Sequence, residues 1–426
     1  MAHRGYDKAV NDAPNDEPKA AGRQNGDAED GRRFARLRSL DRNVTALGVV
    51  SLVADLSSEM VYPLIPLFVT SVLGAPVAVL GLIEGVAEAT ASLTRYPFGR
   101  ASDDLRRRRA FVFSGYGLSA LGKLILALAY VWPVALAGRF VDRMGKGVRT
   151  APRDALLAAG VPEKDRGLAF GLHRTLDTLG AVLGPLIALL LIDLGLSIRA
   201  VLAVAVLPGV ASVVVIALFV RERAPAGPAR ARLRLRLPAS PAFRWMLAGS
   251  LVFAVGNSSN TFILLRAKSL GYGVSAVILL YVLYNVTYAA GSLPLGGVSD
   301  RVGQFPVVTG GFLVFAAVYL GFALVHGGWT LALLFAVYGL YIAATEGTTK
   351  ALLSRSAPDA ERASAMGLYD TAVGVAGFAA SALGGVLWSA VGPWATFVYG
   401  AACALAAALV LTIGSRRARL ADNRER

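Results

Sequence analysis

The chain is poor in the residue types that build disulfide scaffolds and metal centres. One cysteine, Cys403, excludes an internal disulfide framework, and its apolar neighbours indicate a packing residue. Histidine and methionine number three and five, and no two of these soft ligands stand at ligand spacing in one helix. We therefore predict no transition-metal site and no cofactor. Binding of a hard cation by Asp55 and Glu59 stays open.

Charged residues are also scarce, at 17%, whereas hydrophobic residues make up 55% of the chain. That balance is far from the balance of a soluble domain. Apolar stretches of about 20 residues, each long enough to cross a hydrocarbon core about 30 Å thick, recur along the sequence. We predict an all-α integral membrane protein with twelve transmembrane helices in two six-helix bundles. The predicted spans are 44–70, 77–99, 110–131, 133–156, 166–192, 198–220, 243–265, 275–298, 305–325, 330–354, 363–388 and 392–414.

The net charge of +15 is carried mostly by every second loop, and the intervening loops have few basic residues or none. The positive-inside rule then places both termini in the cytoplasm. Short loops and an Ala- and Arg-rich composition suggest a bacterial inner membrane. Because topology and contact with anionic lipid account for the positive charge, we predict no nucleic-acid partner.

Polar segments lie before the first span, after the last span and between the sixth and seventh spans. Residues 1–43 are polar and end in a basic run, so we predict a disordered cytoplasmic tail and no secretory signal peptide. The basic, proline-bearing segment 221–242 is a predicted cytoplasmic linker between an N-terminal bundle, 44–220, and a C-terminal bundle, 243–415. A second cytoplasmic tail is predicted at 416–426.

The two halves resemble each other. RDALLAAGVPEKDRGLAFGLHRT at 153–175 matches TKALLSRSAPDAERASAMGLYDT at 349–371 at a constant offset of 196. Parallel six-helix repeats with a substrate site at their interface are the architecture of one class of transporter.

The repeated loops carry motifs that resemble those of the major facilitator superfamily. Segment 99–109 is similar to the family's signature loop between helices two and three, although Arg107 stands where a glycine is usual. Segment 296–304 is similar to its second copy, and Arg139 fits the fourth-helix motif. The resemblance covers residues 44–415 and implies a secondary transporter that works by alternating access.

Helix five contains a GxxxGP sequence that resembles the motif of the family's proton-coupled antiporters. Glycines four apart let a neighbouring helix approach closely, and a purely structural contact is the other interpretation. Asp103, beside clustered arginines at a helix end, forms either a latch that opens with conformation or a static loop. The candidate gate residues are Gly99, Asp103, Arg107, Asp300, Arg301, Gly180, Gly184 and Pro185.

The densest signal is GRFVDRMGKGVRTAPRDAL, 138–156, which places several charges inside a predicted span. Such groups are costly in hydrocarbon, so this helix indicates a polar interior. The acidic and basic residues inside the spans of the first half are roughly equal in number, which favours their pairing with one another. A carboxylate that moves between an apolar environment and an arginine loads and releases a proton. The proton-coupling candidates are Asp55 and Glu59 first, then Asp142, Asp177, Glu84 and Glu88.

Deep polar residues of the second half are mostly neutral, which suggests ion coupling in the first half and much of the substrate contact in the second. The stripe Tyr281, Tyr284 and Tyr288 is either core or a ligand wall. An anionic or zwitterionic solute would suit Arg139 or Arg143. The candidates for substrate contact or the charge network are Arg139, Arg143, Lys146, Arg174, Asn257, Asn260, Tyr284, Asn285, Tyr338 and Tyr341.

These observations predict proton-coupled efflux of a small organic compound, with the direction resting on the GxxxGP resemblance. A proton-coupled importer of a polar metabolite or chelated metal, and a lipid flippase, are the alternatives. The sequence has no Gly-rich phosphate cradle, no His-rich metal motif and no nucleophile with a plausible base, so we predict no enzyme. The expected partners are a small-molecule substrate, protons and the lipid bilayer, and we expect a monomer.

Overall fold

Long helices joined by short turns make up the part of the chain that the structure describes. This computed structural model describes residues 42–159, 161–162, 166–223, 240–356 and 362–425. Those ranges contain twelve helices and no strand. The helices are α1 (Arg42–Val72), α2 (Val77–Asp104), α3 (Arg108–Ala127), α4 (Trp132–Ala158), α5 (Arg166–Asp193), α6 (Ile198–Phe219), α7 (Pro241–Ser269), α8 (Val274–Val302), α9 (Gln304–Leu324), α10 (Trp329–Arg355), α11 (Arg362–Ala390) and α12 (Pro393–Glu425).

Eleven of these helices are long and apolar enough to cross a membrane. The exception is α4, whose 27 residues span about 40 Å but carry the charged segment singled out in the sequence. Large apolar side chains cover the outer surface, with Leu218, Leu293 and Leu324 among the most exposed. An exposed apolar surface of this extent indicates contact with lipid. The protein is therefore a multi-pass, all-α membrane protein, as predicted.

The predicted helix boundaries differ from the structure at two informative places. Span 243–265 is not continuous, because α7 breaks after Gly256 and resumes at Thr261. The break holds two serines flanked by two asparagines, whose side chains compete with the backbone for hydrogen bonds. In addition, α12 continues to Glu425, well past the predicted end at 414.

The helix packing repeats between the two halves of the sequence. In the first half α1 packs on α5 and α6, and α4 packs on α2 and α3; the second half repeats this with α7 on α11 and α12, and α10 on α8 and α9. Across the halves, α2 packs on α11 and α5 on α8, which are equivalent contacts under the same six-helix shift. The division into bundles at 44–220 and 243–415 stays a prediction. Residues 1–41 of the predicted tail and 224–239 of the predicted linker lie outside the described residues.

The interior is open toward one end of the helices. At the end that carries the α2–α3 turn, called here the α2–α3 end, interior side chains are well exposed: 42% for Arg95, 47% for Glu346 and 52% for Lys350. At the opposite end, Leu64 and Phe68 of α1 are completely buried near α7 and α8. Side chains that line the interior near the α2–α3 end therefore have access to water.

Candidate functional site

Helices α1 and α5 touch backbone to backbone at two glycines of α5. A Cβ at Gly184 would lie 2.6 Å from the carbonyl oxygen of Leu56, and one at Gly180 would overlap the carbonyl oxygen of Leu52. A larger residue at either glycine would push the helices apart. Asp177 lies one turn before Gly180, so this close approach carries its carboxyl group to α1.

The carboxyl groups of Asp55 and Asp177 lie close to each other across these two helices. Asp177 also accepts hydrogen bonds from the Ser51 hydroxyl at 2.6 Å and from Nη1 of Arg174 at 3.1 Å. Like charges brought together disfavour ionisation of both groups, and a proton on one carboxyl group lets it donate a hydrogen bond to the other. Two carboxyl groups placed in this way can share one proton.

Glu59, one turn further along α1, faces the second half of the chain. Its carboxylate accepts a hydrogen bond from the hydroxyl of Tyr281 on α8. The ring of Tyr281 also packs on the ring of Tyr62, with centroids 5.6 Å apart. Glu59 thus lies at the contact between α1 and α8 and does not join the Asp55–Asp177 pair.

Glu84 and Arg139 form a buried ion pair between α2 and α4. Nη2 and Nε of Arg139 lie 2.7 and 3.1 Å from the same oxygen of Glu84. The other oxygen of Glu84 accepts a hydrogen bond of 3.1 Å from Ser259, in the break of α7. Arg139 also contacts Asp142 at 3.5 Å. Because these groups are buried and paired, neither Glu84 nor Arg139 is available to a solute.

Several interior charges have no such partner, contrary to the mutual pairing expected from the sequence. Within the described ranges, Glu88 and Lys146 make no ion pair and no side-chain hydrogen bond, and both are exposed to the interior. Arg143 reaches only Asp142, at 3.8 Å, and its Nε has no hydrogen-bond partner there. Exposure to water explains why Glu88 and Lys146 need no protein partner, whereas Nε of Arg143 is buried and unpaired.

A cavity of about 490 Å³ lies between α2 and the helices of the second half. Five of the residues predicted from the sequence line it, and six of the ten predicted for substrate contact or the charge network do not. The lining includes Glu88, Asn257, Asn260, Tyr338 and Tyr341, together with Tyr62, Arg95, Glu346, Lys350 and Asp370. The predicted residues outside it are Arg139, Arg143, Lys146, Arg174, Tyr284 and Asn285.

The residues predicted for substrate contact on α8 and α10 have different surroundings. Tyr284 is buried against Tyr281, Phe335 and Tyr338, so its ring is core and not a ligand wall. Asn285 donates to the backbone carbonyl of Tyr281 on its own helix. At the cavity itself, the hydroxyl of Tyr338 donates to the side-chain oxygen of Asn260 at 2.6 Å.

The sequence reasoning missed two ion pairs near the α2–α3 end of the cavity. Nη1 of Arg95 lies 2.9 Å from Asp370 and joins α2 to α11. Lys350 lies 3.1 Å from Glu346, one turn earlier on α10. The sequence contains a signal for these pairs, because charged residues lie inside predicted spans of the second half. The prediction that the deep polar residues of that half are mostly neutral passed over them.

A chain of polar contacts connects the carboxyl pair to the cavity. The guanidinium of Arg174 contacts Asp177 at 3.1 Å and, through Nη2, the hydroxyl oxygen of Tyr288 at 3.4 Å. The same Tyr288 hydroxyl donates to Glu346 at 2.8 Å. Arg174 and Tyr288 therefore join the Asp55–Asp177 pair of the first half to a carboxylate that lines the cavity in the second half.

The signature loop pairs Asp103 with one arginine of the basic run beside it. Asp103 accepts two hydrogen bonds from Arg108, at 2.7 and 2.9 Å, whereas Arg107 is exposed and takes no part. The turn places Arg106 in the left-handed region, with φ 52°. A charged residue thus fills a conformation that glycine usually takes. The partner of Asp103 lies within its own loop.

The remaining gate candidates occupy varied positions. A Cβ at Gly99 would lie 2.8 Å from Ala151, so Gly99 allows α2 and α4 to approach. Asp300 lies 3.5 Å from Arg355, with both side chains 65% exposed, and Arg301 is also exposed. Pro185 lies inside α5, directly after Gly184. No group of three or more His, Cys, Asp and Glu residues in the described part of the chain is arranged to hold a metal ion.

Comparison with known proteins places this geometry in a family. The family model described as Major Facilitator Superfamily matches residues 47–273 and again residues 245–426. The chain is 36% identical over 382 residues to MJ1317 of Methanocaldococcus jannaschii, an uncharacterized MFS-type transporter; the match covers 88% of this chain and 95% of that one. It is 30% identical over 359 residues to the protein Rv2265 of Mycobacterium tuberculosis, with 82% and 87% of the two chains covered.

Solved structures share the fold at low sequence identity. The transporter PepTSo of the POT family superposes with a TM-score of 0.75 at 11% identity, covering 90% of this chain and 99% of that one. The human organic anion transporter MFSD10 gives a TM-score of 0.61 at 18% identity, covering 87% and 99%. At these identities the similarity shows the fold alone.

Proposed function

The chain belongs to the Major Facilitator Superfamily, and from that premise we propose that it couples export of a small organic solute to proton entry. The family identifies a membrane transporter, and the coupling and direction are the proposal. The observation that carries it is the close approach of the carboxyl groups of Asp55 and Asp177. Such a pair binds or releases one proton when its surroundings change, which is the requirement for coupling.

Arg174 supplies that change of surroundings. In this conformation its guanidinium is divided between Asp177 and the hydroxyl of Tyr288 on the other half of the chain. Movement of the two halves alters the contact between Arg174 and Tyr288. When the guanidinium interacts with Asp177 alone, its positive charge favours the ionised form of the carboxyl pair. Proton release is thereby linked to the conformational step of alternating access.

The cavity supplies the solute site. Its volume of about 490 Å³ suits a small organic molecule, and its lining combines aromatic rings with hydroxyl, amide and carboxylate groups. A solute that contacts Glu346 acts on Tyr288, and through Tyr288 on Arg174. Binding in the cavity can therefore promote release of the proton, as exchange of proton for solute requires.

The positive-inside rule supports the direction of transport. By that rule the α2–α3 end faces the cytoplasm, and the cavity of this conformation then opens to the cytoplasm. We propose a bacterial inner membrane as the location. A protonated carboxyl pair facing the cytoplasm is the state in which an exporter exchanges its proton for solute. The GxxxGP motif, whose glycines bring α5 onto α1 beside the pair, supports the same direction.

Transport in proteoliposomes with an imposed pH gradient tests this function. Pooled metabolites and organic cations are offered on the side of the α2–α3 loop, and internal pH is followed by fluorescence. An exporter moves solute and protons in opposite directions. Movement of both in the same direction would identify an importer, lipid exchange without proton flux would identify a flippase, and solute flux without proton flux would reject the coupling.

A further inference from the structure

Lys123 of α3 is a buried amine that the carboxyl-pair mechanism does not use. Its exposed fraction is 4%. Nζ lies 2.8 Å from the hydroxyl oxygen of Ser57 and 3.0 Å from that of Ser58, both on α1. No carboxylate oxygen in the described ranges lies within ion-pair distance of it. A lysine ammonium in such a place is expected to have an acidic partner.

The hydrogen atoms of the two serine hydroxyls are already engaged. Ser57 donates to the carbonyl oxygen of Ala205 at 2.6 Å, and Ser58 donates to that of Ala54 at 3.0 Å. Each hydroxyl therefore offers only a lone pair to Lys123. A neutral amine has two N–H donors, which match these two acceptors. An ammonium has three donors, so it would leave one N–H unsatisfied beside an uncompensated buried charge.

The surrounding charges do not supply the missing partner in this conformation. The strongest electrostatic neighbours of Lys123 are Asp142, Arg149 and Arg143 on α4 and Asp55 on α1. Asp142 already contacts Arg139 and Arg143, and Asp55 is engaged with Asp177 on the α5 side of α1. Two segments of α6 pack on α3: Val206–Phe219 contains no charged residue, and Ile198–Val204 contains Arg199, a cation that donates to the carbonyl oxygens of Ala127 and Ala129.

We propose that Lys123 is a second proton-binding site, empty in this conformation and filled when α3 and α4 shift enough to make Asp142 its third acceptor. Helix α1 then has a proton site on each of two faces: the protonated Asp55–Asp177 pair toward α5 and the vacant Lys123 amine toward α3. The use of this site in transport rests on the proposed proton coupling, but the state of the amine does not.

Nitrogen-15 NMR of the lysine side chains tests the site without any solute. The chain has seven lysines, and at about pH 8.5 the exposed ones are still ammonium groups. We expect one amine-type signal from the full-length protein in lipid bilayers, absent from Lys123→Met and retained in Lys146→Met. On acidification this signal moves reversibly to the ammonium position. Seven ammonium-type signals in the wild type, or an amine-type signal that survives Lys123→Met, would overturn the proposal.

The proton-to-solute ratio then tests the role of Lys123 in transport. Lys123→Met lowers the ratio by one proton and leaves pH-gradient-driven transport in place, because the carboxyl pair still titrates. Lys123→Arg, a permanent cation, disfavours the present conformation and slows exchange. An unchanged ratio in Lys123→Met overturns the transport role. If the wild type moves no protons while the amine-type signal is present, the proposed coupling fails and the amine assignment stands.

Discussion

Arg139 places two nitrogens, Nε and Nη2, against a single oxygen of Glu84, at 3.1 and 2.7 Å, in the buried contact between α2 and α4. The second oxygen of Glu84 is taken by Ser259 in the break of α7. Glu84 therefore connects α4 to the second half through α7, and both of its carboxylate oxygens are used in these contacts. This arrangement assigns a structural role to a residue that the sequence offered as a proton-coupling candidate.

Glu84→Gln should destabilise the protein strongly, because it leaves the Arg139 charge buried with only the longer contact to Asp142. Removing one partner of a buried pair costs about 3–5 kcal/mol. Thermal unfolding of the purified protein measures the loss. The double variant Glu84→Gln with Arg139→Gln should recover part of it, since no buried charge is then left alone. Additive losses in the double variant would show that the two residues do not act as a pair.

How much of this was predictable from sequence depends on the range of the interaction. Helix number and most boundaries follow from apolar runs of span length, which are local. The Asp55–Asp177 pair does not, because it depends on how closely α1 and α5 approach, although the glycine spacing indicated that some helix comes near. The Arg95–Asp370 pair joins residues 275 positions apart, and no local pattern relates them.

Two further misses have physical causes. The break in α7 depends on the hydrogen bonds of Ser259 with Glu84 and Ser381. These partners lie on other helices, so they stabilise the interrupted helix only after folding. The motif position predicts Arg107 as one of the gate residues. The left-handed turn at Arg106 instead directs Arg108 to Asp103.

Asp55→Asn or Asp177→Asn should abolish solute transport driven by a pH gradient, because an amide cannot take up or release the shared proton. Solute exchange at equal pH should be less affected, since the cavity is unchanged. Both rates can be measured in proteoliposomes with a solute found by the screen. The control is Asp193→Asn on α5, whose partner is Ser275 at 2.6 Å near the opposite end. Full gradient-driven transport in both Asp55→Asn and Asp177→Asn would remove the pair from the mechanism.

Alanine at Gly180 should separate α1 from α5 and uncouple the carboxyl pair. The added Cβ would overlap the carbonyl oxygen of Leu52, and overpacking of this kind costs about 1–3 kcal/mol. Gly171→Ala on the same helix is the matched control, because a Cβ there meets nothing within 4 Å. That variant should gain up to about 1 kcal/mol from helix propensity. Melting temperatures should thus move in opposite directions, and only Gly180→Ala should lose proton coupling.

Tyr288→Phe should weaken the coupling between solute and proton without loss of folding, because it deletes one hydroxyl from the contacts that join Arg174 to Glu346. The phenol ring is kept, so packing of α8 is preserved, and Glu346 retains Lys350 as a partner at 3.1 Å. Without the Tyr288 hydroxyl, the guanidinium of Arg174 interacts with Asp177 alone, and its positive charge favours the ionised form of the carboxyl pair. We expect solute flux that carries fewer protons than in the wild type, measured as the proton-to-solute ratio in proteoliposomes. Tyr272→Phe removes a hydroxyl bonded to Gly328 near the opposite end and should leave the ratio unchanged. A wild-type ratio in Tyr288→Phe would mean that solute binding and proton release communicate by another route.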